Sequence, residues 1–265
     1  MRGMSTLPLQ QCVQAASRAA LEAGALLARH AGRPKTVTTK RSAIDLVTEV
    51  DRAAEHRIRA ILHRAFPDIG FLGEEHGARD ETASARWIVD PIDGTNNFVH
   101  GFPCFGVSIG LEDRGAMVAG VIYDPMRREL FTAIAGRGAY LNGRRIRVSR
   151  TRRLAESLLS TGFSTTFLTQ DQPYLRWFQR AQRRSHGVRR IGSTVISLAA
   201  VACGRLEGFY ERDLWPWDMA AGVVLVREAG GHVTDLAGRA PVLTDGRLIA
   251  TNGHIHRALL RLLAR

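Results

Sequence analysis

The chain has few of the features that mark secreted, membrane-bound or disulfide-rich proteins. Only three of its 265 residues are cysteines, namely Cys12, Cys104 and Cys203, and they form no Cys-x-x-Cys pair. Such widely spaced thiols are typical of a reducing compartment. No apolar run approaches the about 18 residues that a membrane span needs, and the N-terminus shows no signal-peptide pattern. We therefore expect a cytoplasmic protein with no membrane contact.

Internal repeats, low-complexity tracts and long linkers are also absent. With 45% hydrophobic and 23% charged residues, the composition is that of an ordinary globular protein. At this length the chain can form one large α/β domain or two closely packed halves.

Negative charge is scarce relative to positive charge, and the formal net charge is +12. Basic residues crowd the stretches 144–153 and 176–190, and the second stretch also contains Trp177 and Phe178. One explanation is a solvated basic surface. The other is attraction of a polyanion such as RNA, or steering of a phosphorylated substrate. No nucleic-acid-binding motif is recognisable, so both explanations stay open.

The most informative stretch is residues 87–98, which read WIVDPIDGTNNF. A short β-type run, residues 87–89, is expected to end at Asp90, because Pro91 can neither donate a ladder hydrogen bond nor continue a helix. Asp90 and Asp93 then lie three residues apart across a kinked turn. Two carboxylates this close repel each other unless a cation lies between them.

The rest of this turn suits a cation beside a phosphate. We expect the backbone carbonyl of Ile92 to turn outward, and all-oxygen ligation of this kind is what Mg²⁺ prefers. Gly94 lets the chain bend, and Thr95 is well placed to cap a helix that begins near Asn96. The N–H groups from Gly94 onward would form an anion cradle. The turn therefore predicts metal-assisted phosphoryl chemistry.

Residues 90–95, Asp-Pro-Ile-Asp-Gly-Thr, resemble the signature of the inositol monophosphatase family. Two further segments match in order, Gly-Glu-Glu at 73–75 and Trp-Asp-Met-Ala-Ala-Gly at 217–222. The three motifs together span most of the chain. The resemblance implies an α/β (α+β) fold, a layered α-β-α-β-α sandwich of the inositol monophosphatase and fructose-1,6-bisphosphatase type. It also implies a homodimer and the Mg²⁺-dependent hydrolysis of a small phosphate monoester.

The resemblance assigns two to three Mg²⁺ ions to the active site. Glu74, Asp90 and the carbonyl of Ile92 would hold one ion. Asp90, Asp93 and Asp218 would hold a second, and Glu74 with waters would hold a third, weaker one. Without the family pattern, Glu74 would be a loop acid and Asp218 a helix cap.

The same resemblance assigns catalytic and substrate-binding roles. Glu74 and Thr95, the latter oriented by Asp51, would aim the attacking water. Contacts to the substrate are expected from Asp93, Gly94, Thr95, Thr194, Glu211 and Asp218. Asp51 and Thr194 also fit simple helix-end roles, and both interpretations of each residue stay open. Lys40 matches a lysine on a mobile loop that closes over the metals.

Two other hydrolase patterns are excluded by their context. Residues 106–110 fit Gly-x-Ser-x-Gly, but Ser108 lies in an alternating strand pattern rather than on a tight turn before a helix. Haloacid dehalogenases carry Asp-x-Asp, whereas Asp90 and Asp93 are separated by two residues. This spacing favours metal bridging over an aspartyl nucleophile.

The substrate is less narrowly defined than the reaction. Inositol-1-phosphate is the first candidate, and histidinol phosphate, fructose 1,6-bisphosphate and 3′-phosphoadenosine phosphates are alternatives. Ser197 and Trp215 depart from the family pattern and leave the pocket wall open. An alternative of another class is an RNA- or transcription-complex-binding factor on a phosphatase scaffold. The intact set of acidic residues favours catalysis.

Periodicity and breaker residues predict helices first, then a mainly antiparallel sheet, then alternating strands and helices. Helices are predicted over residues 9–31, 48–66, 173–184, 194–202 and 218–229 and from 254 onward. Strands are predicted over 69–73, 104–111, 117–123, 129–135, 140–148, 158–161, 206–210, 232–234 and 248–251. We expect an N-terminal α+β half with the metal-binding motifs (1–150) and a C-terminal α/β half that completes the active site (151–265).

Overall fold

The computed structural model describes residues 7–33, 36–39, 46–79, 83–163 and 172–264. Lys40 falls outside them. The described α-helices are α1 (Leu9–His30), α2 (Glu49–Ala65), α3 (Thr95–Val99), α4 (Gln172–Arg184), α5 (Thr194–Ala202), α6 (Pro216–Glu228) and α7 (His256–Leu263). The strands are β1 (Val37–Thr39), β2 (Leu46–Thr48), β3 (Gly70–Gly73), β4 (Gly77–Arg79), β5 (Ala85–Asp93), β6 (Gly106–Asp113), β7 (Ala116–Asp124), β8 (Glu129–Ile134), β9 (Gly138–Leu141), β10 (Arg144–Ile146), β11 (Leu158–Thr161), β12 (Gly187–Arg189), β13 (Gly208–Arg212), β14 (His232–Thr234) and β15 (Arg247–Thr251).

Most of the strands form two sheets. The large sheet has the order β10-β9-β8-β7-β6-β5-β3-β4 and is antiparallel except between β3 and β5. The small sheet has the order β12-β11-β13-β15-β14, in which β11, β12 and β13 are parallel and β15 is antiparallel to its neighbours. The predicted change from an antiparallel sheet to alternating elements is confirmed. The boundary at residue 150 stays a prediction.

Helices and sheets alternate in layers. Helices α1 and α2 pack on one face of the large sheet, α5 and α6 lie between the two sheets, and α4 and α7 cover the outer face of the small one. In α6 every residue from Met219 to Val226 is buried. A helix that is apolar all round is expected where it is covered on both sides. The predicted α-β-α-β-α sandwich is confirmed.

Close packing of the middle helix depends on a glycine in the large sheet. A Cβ atom added to Gly120 in β7 would come within 2.5 Å of the carbonyl oxygen of Ala221 in α6. A backbone oxygen cannot move aside without breaking helix geometry, so this position requires glycine. The contact sets the distance between α6 and the sheet, and α6 carries Asp218.

The expected end of the central strand at Asp90 was wrong, because β5 continues through Pro91 to Asp93. Asp90 pairs with Ser108, but Asp93 pairs with Gly106, so one extra residue is inserted in β5 between the two aspartates. This bulge accommodates Pro91, since a bulged residue needs no ladder hydrogen bond. The bulge also brings Asp90 and Asp93 into one site.

Two helix starts differ from the prediction and one agrees with it. Thr48 caps α2 in a capping box with Asp51, as predicted. Thr95 does not cap α3, because Gly94 takes the cap position with a left-handed φ of 95° and leaves Thr95 as the first helical residue. The side chain of Ser193, not that of Thr194, caps α5.

Candidate active site and metal centre

The sequence-predicted residues converge on one cleft of about 280 Å³. It lies where β3 and β5 end and where α3, α5 and α6 begin. The predicted residues that line it are Glu74, Asp93, Gly94, Thr95, Thr194, Glu211 and Asp218. Asp90 is buried and Asp51 is fully buried, and neither of them lines the cleft.

Four acidic residues, Glu74, Asp90, Asp93 and Asp218, form what we call the carboxylate cluster. Carboxylate oxygens of Asp90, Asp93 and Asp218 lie within 4.8 Å of one another. The side chains of Asp90 and Glu74 are also in hydrogen-bonding contact. The three aspartates therefore offer converging oxygen atoms from two parts of the fold, the bulge of β5 and the first turn of α6.

Burial and mutual repulsion raise the free energy of the ionised form of this cluster. Burial, followed by the charges of Glu74 and Asp93, raises the pKa of Asp90 well above its usual range. Burial and the charge of Asp93 do the same to the pKa of Asp218. Burial raises the pKa of Asp93 to about 6, although hydrogen bonds from the start of α5 oppose the rise. Such a set fits a hard cation, because the cation removes the repulsion and accepts oxygen ligands.

Backbone N–H groups orient two members of the cluster. The N–H of Ile92 donates to Oδ1 of Asp90 at 2.9 Å, within the bulge itself. The N–H of Trp215 donates to Oδ2 of Asp218 at 2.7 Å, at the first turn of α6. In both cases one carboxylate oxygen is held by the chain and the other can face a ligand.

Asp93 is held by the start of α5. Its Oδ2 atom accepts the N–H of Val195 at 2.9 Å and also accepts a short hydrogen bond from the hydroxyl of Ser193. Ser193 is at the same time the cap of α5. A helix start was predicted here without any link to the proposed metal ligands, because Ser193 and Asp93 are 100 positions apart in the sequence.

Asp51 makes a contact for each of the two interpretations that the sequence left open, the helix cap and the orientation of Thr95. Its Oδ2 atom accepts the N–H and the hydroxyl of Thr48 at 2.8 and 2.5 Å, which closes the capping box. Its Oδ1 atom lies 3.1 Å from the hydroxyl oxygen of Thr95. That hydroxyl also lies 3.0 Å from the carbonyl oxygen of Ile92. The single hydroxyl proton of Thr95 can go to either acceptor, and the Ile92 carbonyl keeps a lone pair for a ligand, so its role as a metal ligand stays a prediction.

Glu55 is a residue that the sequence analysis missed. It is fully buried on α2 and accepts the N–H groups of Glu75 and His76 at 2.9 and 3.0 Å. It also bonds to Nδ1 of His76 at 2.6 Å. Glu55 thereby fixes the turn that carries Glu74. The available signal was its position, since it shares the buried face of α2 with Ile58.

The wall beyond the cluster carries the predicted substrate contacts. Glu211 is buried at the end of β13, and burial followed by the charge of Asp93 raises its pKa to about 8. The hydroxyl of Thr194 donates to Oε2 of Glu211 at 3.3 Å. Ser197 lies one turn further along α5 and contacts the hydroxyl of Ser160 at 3.1 Å. The wall therefore presents a set of neighbouring oxygen atoms.

The serine of the excluded Gly-x-Ser-x-Gly pattern does not belong to these cleft residues. Ser108 is in the middle of β6 and is fully buried. Its hydroxyl donates to the carbonyl oxygen of Trp217 at 3.1 Å. It therefore ties the large sheet to the start of α6, and it is not on the exposed turn that a serine nucleophile needs.

Comparisons with known proteins agree with the site. The model of the inositol monophosphatase family matches residues 9–265. The chain is 44% identical over 246 residues to inositol-1-monophosphatase of Mesorhizobium japonicum, with 92% of each chain covered. It is also 44% identical over 258 residues to Nus factor SuhB of Pseudomonas aeruginosa, with 95% of each chain covered.

Solved structures give the same result. The suhB protein of Bartonella henselae matches with a TM-score of 0.91 at 44% identity, covering 95% of this chain and 98% of that one. Inositol monophosphatase of Anabaena matches with a TM-score of 0.89 at 42% identity, covering 97% of both chains.

None of the helices in the described residues has the length and hydropathy needed to cross a bilayer. On its family model, its relatives and its fold, the chain belongs to the inositol monophosphatase family, a family of phosphoric monoester hydrolases.

Proposed function

We propose that the chain hydrolyses a small phosphate monoester with the help of Mg²⁺, and that inositol-1-phosphate is its first substrate. The observation that supports this most directly is the carboxylate cluster, in which three aspartates bring oxygen atoms within 4.8 Å of one another. Relatives named inositol-1-monophosphatase support the choice of substrate. Histidinol phosphate, fructose 1,6-bisphosphate and 3′-phosphoadenosine phosphates are the alternatives.

The residues of the cluster would hold two to three ions. Glu74, Asp90 and the carbonyl of Ile92 would bind one. Asp90, Asp93 and Asp218 would bind another, and Glu74 with waters would bind a third. Bound Mg²⁺ supplies an acidified water and offsets negative charge on the phosphoryl oxygens.

The chain itself would position the water and the phosphate. The hydroxyl proton of Thr95 is directed to Asp51 or to the carbonyl of Ile92. An oxygen lone pair of Thr95 is then left to accept a hydrogen bond from the attacking water, which Glu74 would hold from the other side. The backbone N–H groups of Gly94 and Thr95 would contact the phosphoryl oxygens.

The reaction forms one P–O bond to the water oxygen and breaks the P–O bond to the alcohol. A second water, held by Asp218, would donate the proton that the departing alkoxide needs, and the proton that the attacking water loses would replace it. Glu211 and Thr194, which line the same cleft, would hold hydroxyl groups of the alcohol. No covalent phosphoenzyme is required by this arrangement.

The experiment is phosphate release from five esters, with and without Mg²⁺. The panel is inositol-1-phosphate, histidinol phosphate, fructose 1,6-bisphosphate, 3′-phosphoadenosine 5′-phosphate and glycerol-2-phosphate. We expect Mg²⁺-dependent release that Asp90→Asn abolishes. Asp235→Asn, which alters a buried aspartate outside the cluster, is the matched control and keeps the activity. Absence of release by the wild-type protein from every ester would contradict the proposal.

A second candidate function is binding to RNA or to a transcription complex. Relatives named Nus factor SuhB are 40% to 44% identical to the chain. Arg180 and Arg184 on α4 and Arg261 on α7 line a groove on the outer face. Among the described residues no acidic group forms a salt bridge with these three arginines. Phosphate groups are the natural partners of such a surface.

This second function is tested separately from catalysis. Retention on single-stranded RNA should fall steeply as salt rises, and the double variant Arg180→Gln/Arg184→Gln should weaken it. The same variant should keep its phosphatase activity, since neither residue lines the cleft. No retention by the wild-type protein at low salt would exclude the RNA function.

We propose a homodimer from the family resemblance and a cytoplasmic location from the cysteine pattern. Three free cysteines, Cys12, Cys104 and Cys203, fit a reducing compartment. Sedimentation equilibrium of the whole protein would give the mass of the assembly, and a monomer at micromolar concentration would contradict the dimer.

A further inference from the structure

A buried tyrosine on α4 holds the end of the strand that carries Glu211. The hydroxyl of Tyr174 donates to the carbonyl oxygen of Arg212 at 2.6 Å and accepts the N–H of the same residue at 2.9 Å. Only 2% of Tyr174 is exposed. β11 pairs with β13 only as far as Thr161 and Tyr210. Beyond that point, the hydroxyl supplies the two hydrogen bonds to Arg212 that an adjacent strand would otherwise make.

The same pair of residues is joined through the side chains. Burial, followed by the charge of Glu211, raises the pKa of the Tyr174 hydroxyl. The hydroxyl therefore keeps its proton at neutral pH and can donate to the Arg212 carbonyl. The guanidinium of Arg212 also lies over the tyrosine ring, 5.8 Å from its centroid. Tyr174 thus contacts both the backbone and the side chain of the residue that follows Glu211.

The ring of Tyr174 supports a second neighbour of Glu211. It packs against Phe163, with the ring centroids 5.6 Å apart at an angle of 60°. Phe163 follows Gly162, and both line the cleft. A Cβ atom added to Gly162 would overlap the carboxylate of Glu211. This carboxylate therefore lies directly against the segment that Tyr174 supports, and it also accepts a bond from Thr194.

We propose that Tyr174 is a positioning residue, which sets the place of the Glu211 carboxylate in the cleft by holding both Arg212 and Phe163. Tyr174 itself does not line the cleft, so it reaches the substrate through Glu211. This inference rests on the proposed function, in which Glu211 holds hydroxyl groups of the alcohol.

The test compares two esters that differ in the hydroxyl groups of the alcohol part, inositol-1-phosphate and phenyl phosphate. The quantity measured is the ratio of their kcat/KM values. A hydrogen bond to a charged group is worth about 10- to 150-fold in affinity. A displaced carboxylate loses part of this, so Tyr174→Phe should lower the ratio by about 5- to 20-fold, through KM for inositol-1-phosphate. Tyr140→Phe, which removes an exposed hydroxyl bonded to the carbonyl of Arg137, is the matched control and keeps the ratio.

A double-mutant cycle separates positioning of Glu211 from a general loss of structure. Glu211→Ala removes the carboxylate and should lower the ratio by the full factor of about 10- to 150-fold. Adding Tyr174→Phe to Glu211→Ala should then change the ratio no further. All variants are assayed below their unfolding temperatures, because Tyr174→Phe also removes a partner of the Arg212 backbone.

A binding measurement makes the result independent of turnover. Inositol is titrated into the Mg²⁺-loaded protein at saturating inorganic phosphate, and the heat is followed. We expect Tyr174→Phe to bind inositol more weakly than the wild-type protein, by the same factor as in the kinetic ratio. Tyr140→Phe should bind it as the wild-type protein does.

Two outcomes overturn the inference. In the first, Tyr174→Phe keeps the wild-type kcat/KM ratio and the wild-type affinity for inositol. In the second, Tyr174→Phe lowers the ratio as much in the Glu211→Ala background as in the wild-type background, which would give Tyr174 a role independent of Glu211. Failure of the phosphatase function looks different, because the wild-type protein then hydrolyses neither ester while inositol binding still reports on Tyr174.

Discussion

The inner and outer ends of the cleft are built in different ways. At the inner end, Asp90, Asp93 and Asp218 each accept a hydrogen bond from a backbone N–H group, and their pKa values are raised by burial and by one another. At the outer end, Glu211 bonds to a side-chain hydroxyl and Trp215 is half exposed. The carboxylates at the inner end are thus held by the backbone, whereas the outer end is held by side chains and opens to solvent at Trp215.

Because of this difference, we expect the inner end to carry out the reaction and the outer end to select the substrate. Oxygen ligands that are held by the backbone keep their geometry whatever alcohol is bound, as a metal centre requires. Side chains that make no hydrogen bond to these oxygen ligands can be exchanged without disturbing that geometry. We therefore expect changes at the inner end to alter the rate and metal binding, and changes at the outer end to alter which ester is preferred.

The largest effect is expected from Asp218→Asn. Loss of a residue that only hydrogen-bonds to a metal ligand costs about 10- to 100-fold in metal affinity or activity. Loss of a charged ligand itself should therefore lower kcat/KM by more than about 100-fold. The measurement is steady-state phosphate release from inositol-1-phosphate at increasing Mg²⁺. Asp213→Asn, in the same cleft but outside the cluster, should change kcat/KM far less. Equal losses in both variants would remove the distinction between the two ends.

Glu55→Gln should weaken Mg²⁺ binding at the inner end, although Glu55 is not part of the carboxylate cluster. Three donors on Glu75 and His76 face this carboxylate, and an amide would turn an N–H group toward at least one of them. We expect the Mg²⁺ concentration for half-maximal activity to rise by about 10-fold or more. Glu22→Gln, at an exposed ion pair with Arg18 and Arg57, is the control. An unchanged Mg²⁺ dependence in Glu55→Gln would show that the turn carrying Glu74 keeps its conformation without the Glu55 carboxylate.

Charge strain among the buried carboxylates at both ends of the cleft should appear in the pH dependence of stability. Burial raises the pKa of Asp93 from 3.8 to about 6 and that of Glu211 from 4.5 to about 8. The folded protein without metal therefore binds more protons than the unfolded chain between about pH 4 and pH 8, so its stability falls as the pH rises through that window.

The check is urea unfolding of chelator-treated protein at pH 5 and pH 8. We expect a lower midpoint at pH 8, and Mg²⁺ should raise the midpoint most at that pH. Asp90→Asn removes one buried charge and should flatten the pH dependence. A midpoint that rises from pH 5 to pH 8 without metal would contradict the assigned charge strain.

The smallest effect is expected at the outer end from Thr194→Val. Loss of one neutral hydrogen bond is worth about 0.5–1.5 kcal/mol, which corresponds to a rise of about 2- to 10-fold in KM for inositol-1-phosphate. kcat should hardly change. Thr194→Ser keeps the hydroxyl and should keep KM. A loss in kcat without a change in KM would assign Thr194 to the inner end instead.

The parts of the fold that depend on residues close together in the sequence could be predicted from local sequence patterns. The capping box of Thr48 and Asp51 was predicted because its partners are three positions apart. The three motifs identified the carboxylate cluster by resemblance, and the structure brings those residues together in one cleft. Their roles as ligands and catalysts stay predictions.

The parts that were wrong or missed depend on distant residues. The bulge that carries β5 past Pro91 exists only because β6 pairs on both sides of it. Glu55 is understood only once the turn after β3 lies against α2. The bond from Ser193 to Asp93 joins two halves of the chain. The short strands β4 and β12 likewise become visible only through their partners.

The most direct test of the account is calorimetric titration of Mg²⁺ into chelator-treated protein, with phosphate release from inositol-1-phosphate measured on the same samples. We expect two to three ions bound to the wild-type protein and to Asp235→Asn. We expect Asp90→Asn to lose ion binding and hydrolysis together, because Asp90 is shared by two of the proposed metal sites. An Asp90→Asn protein that binds as many ions as the wild type with the same affinity would contradict the assignment of the cluster as the metal centre.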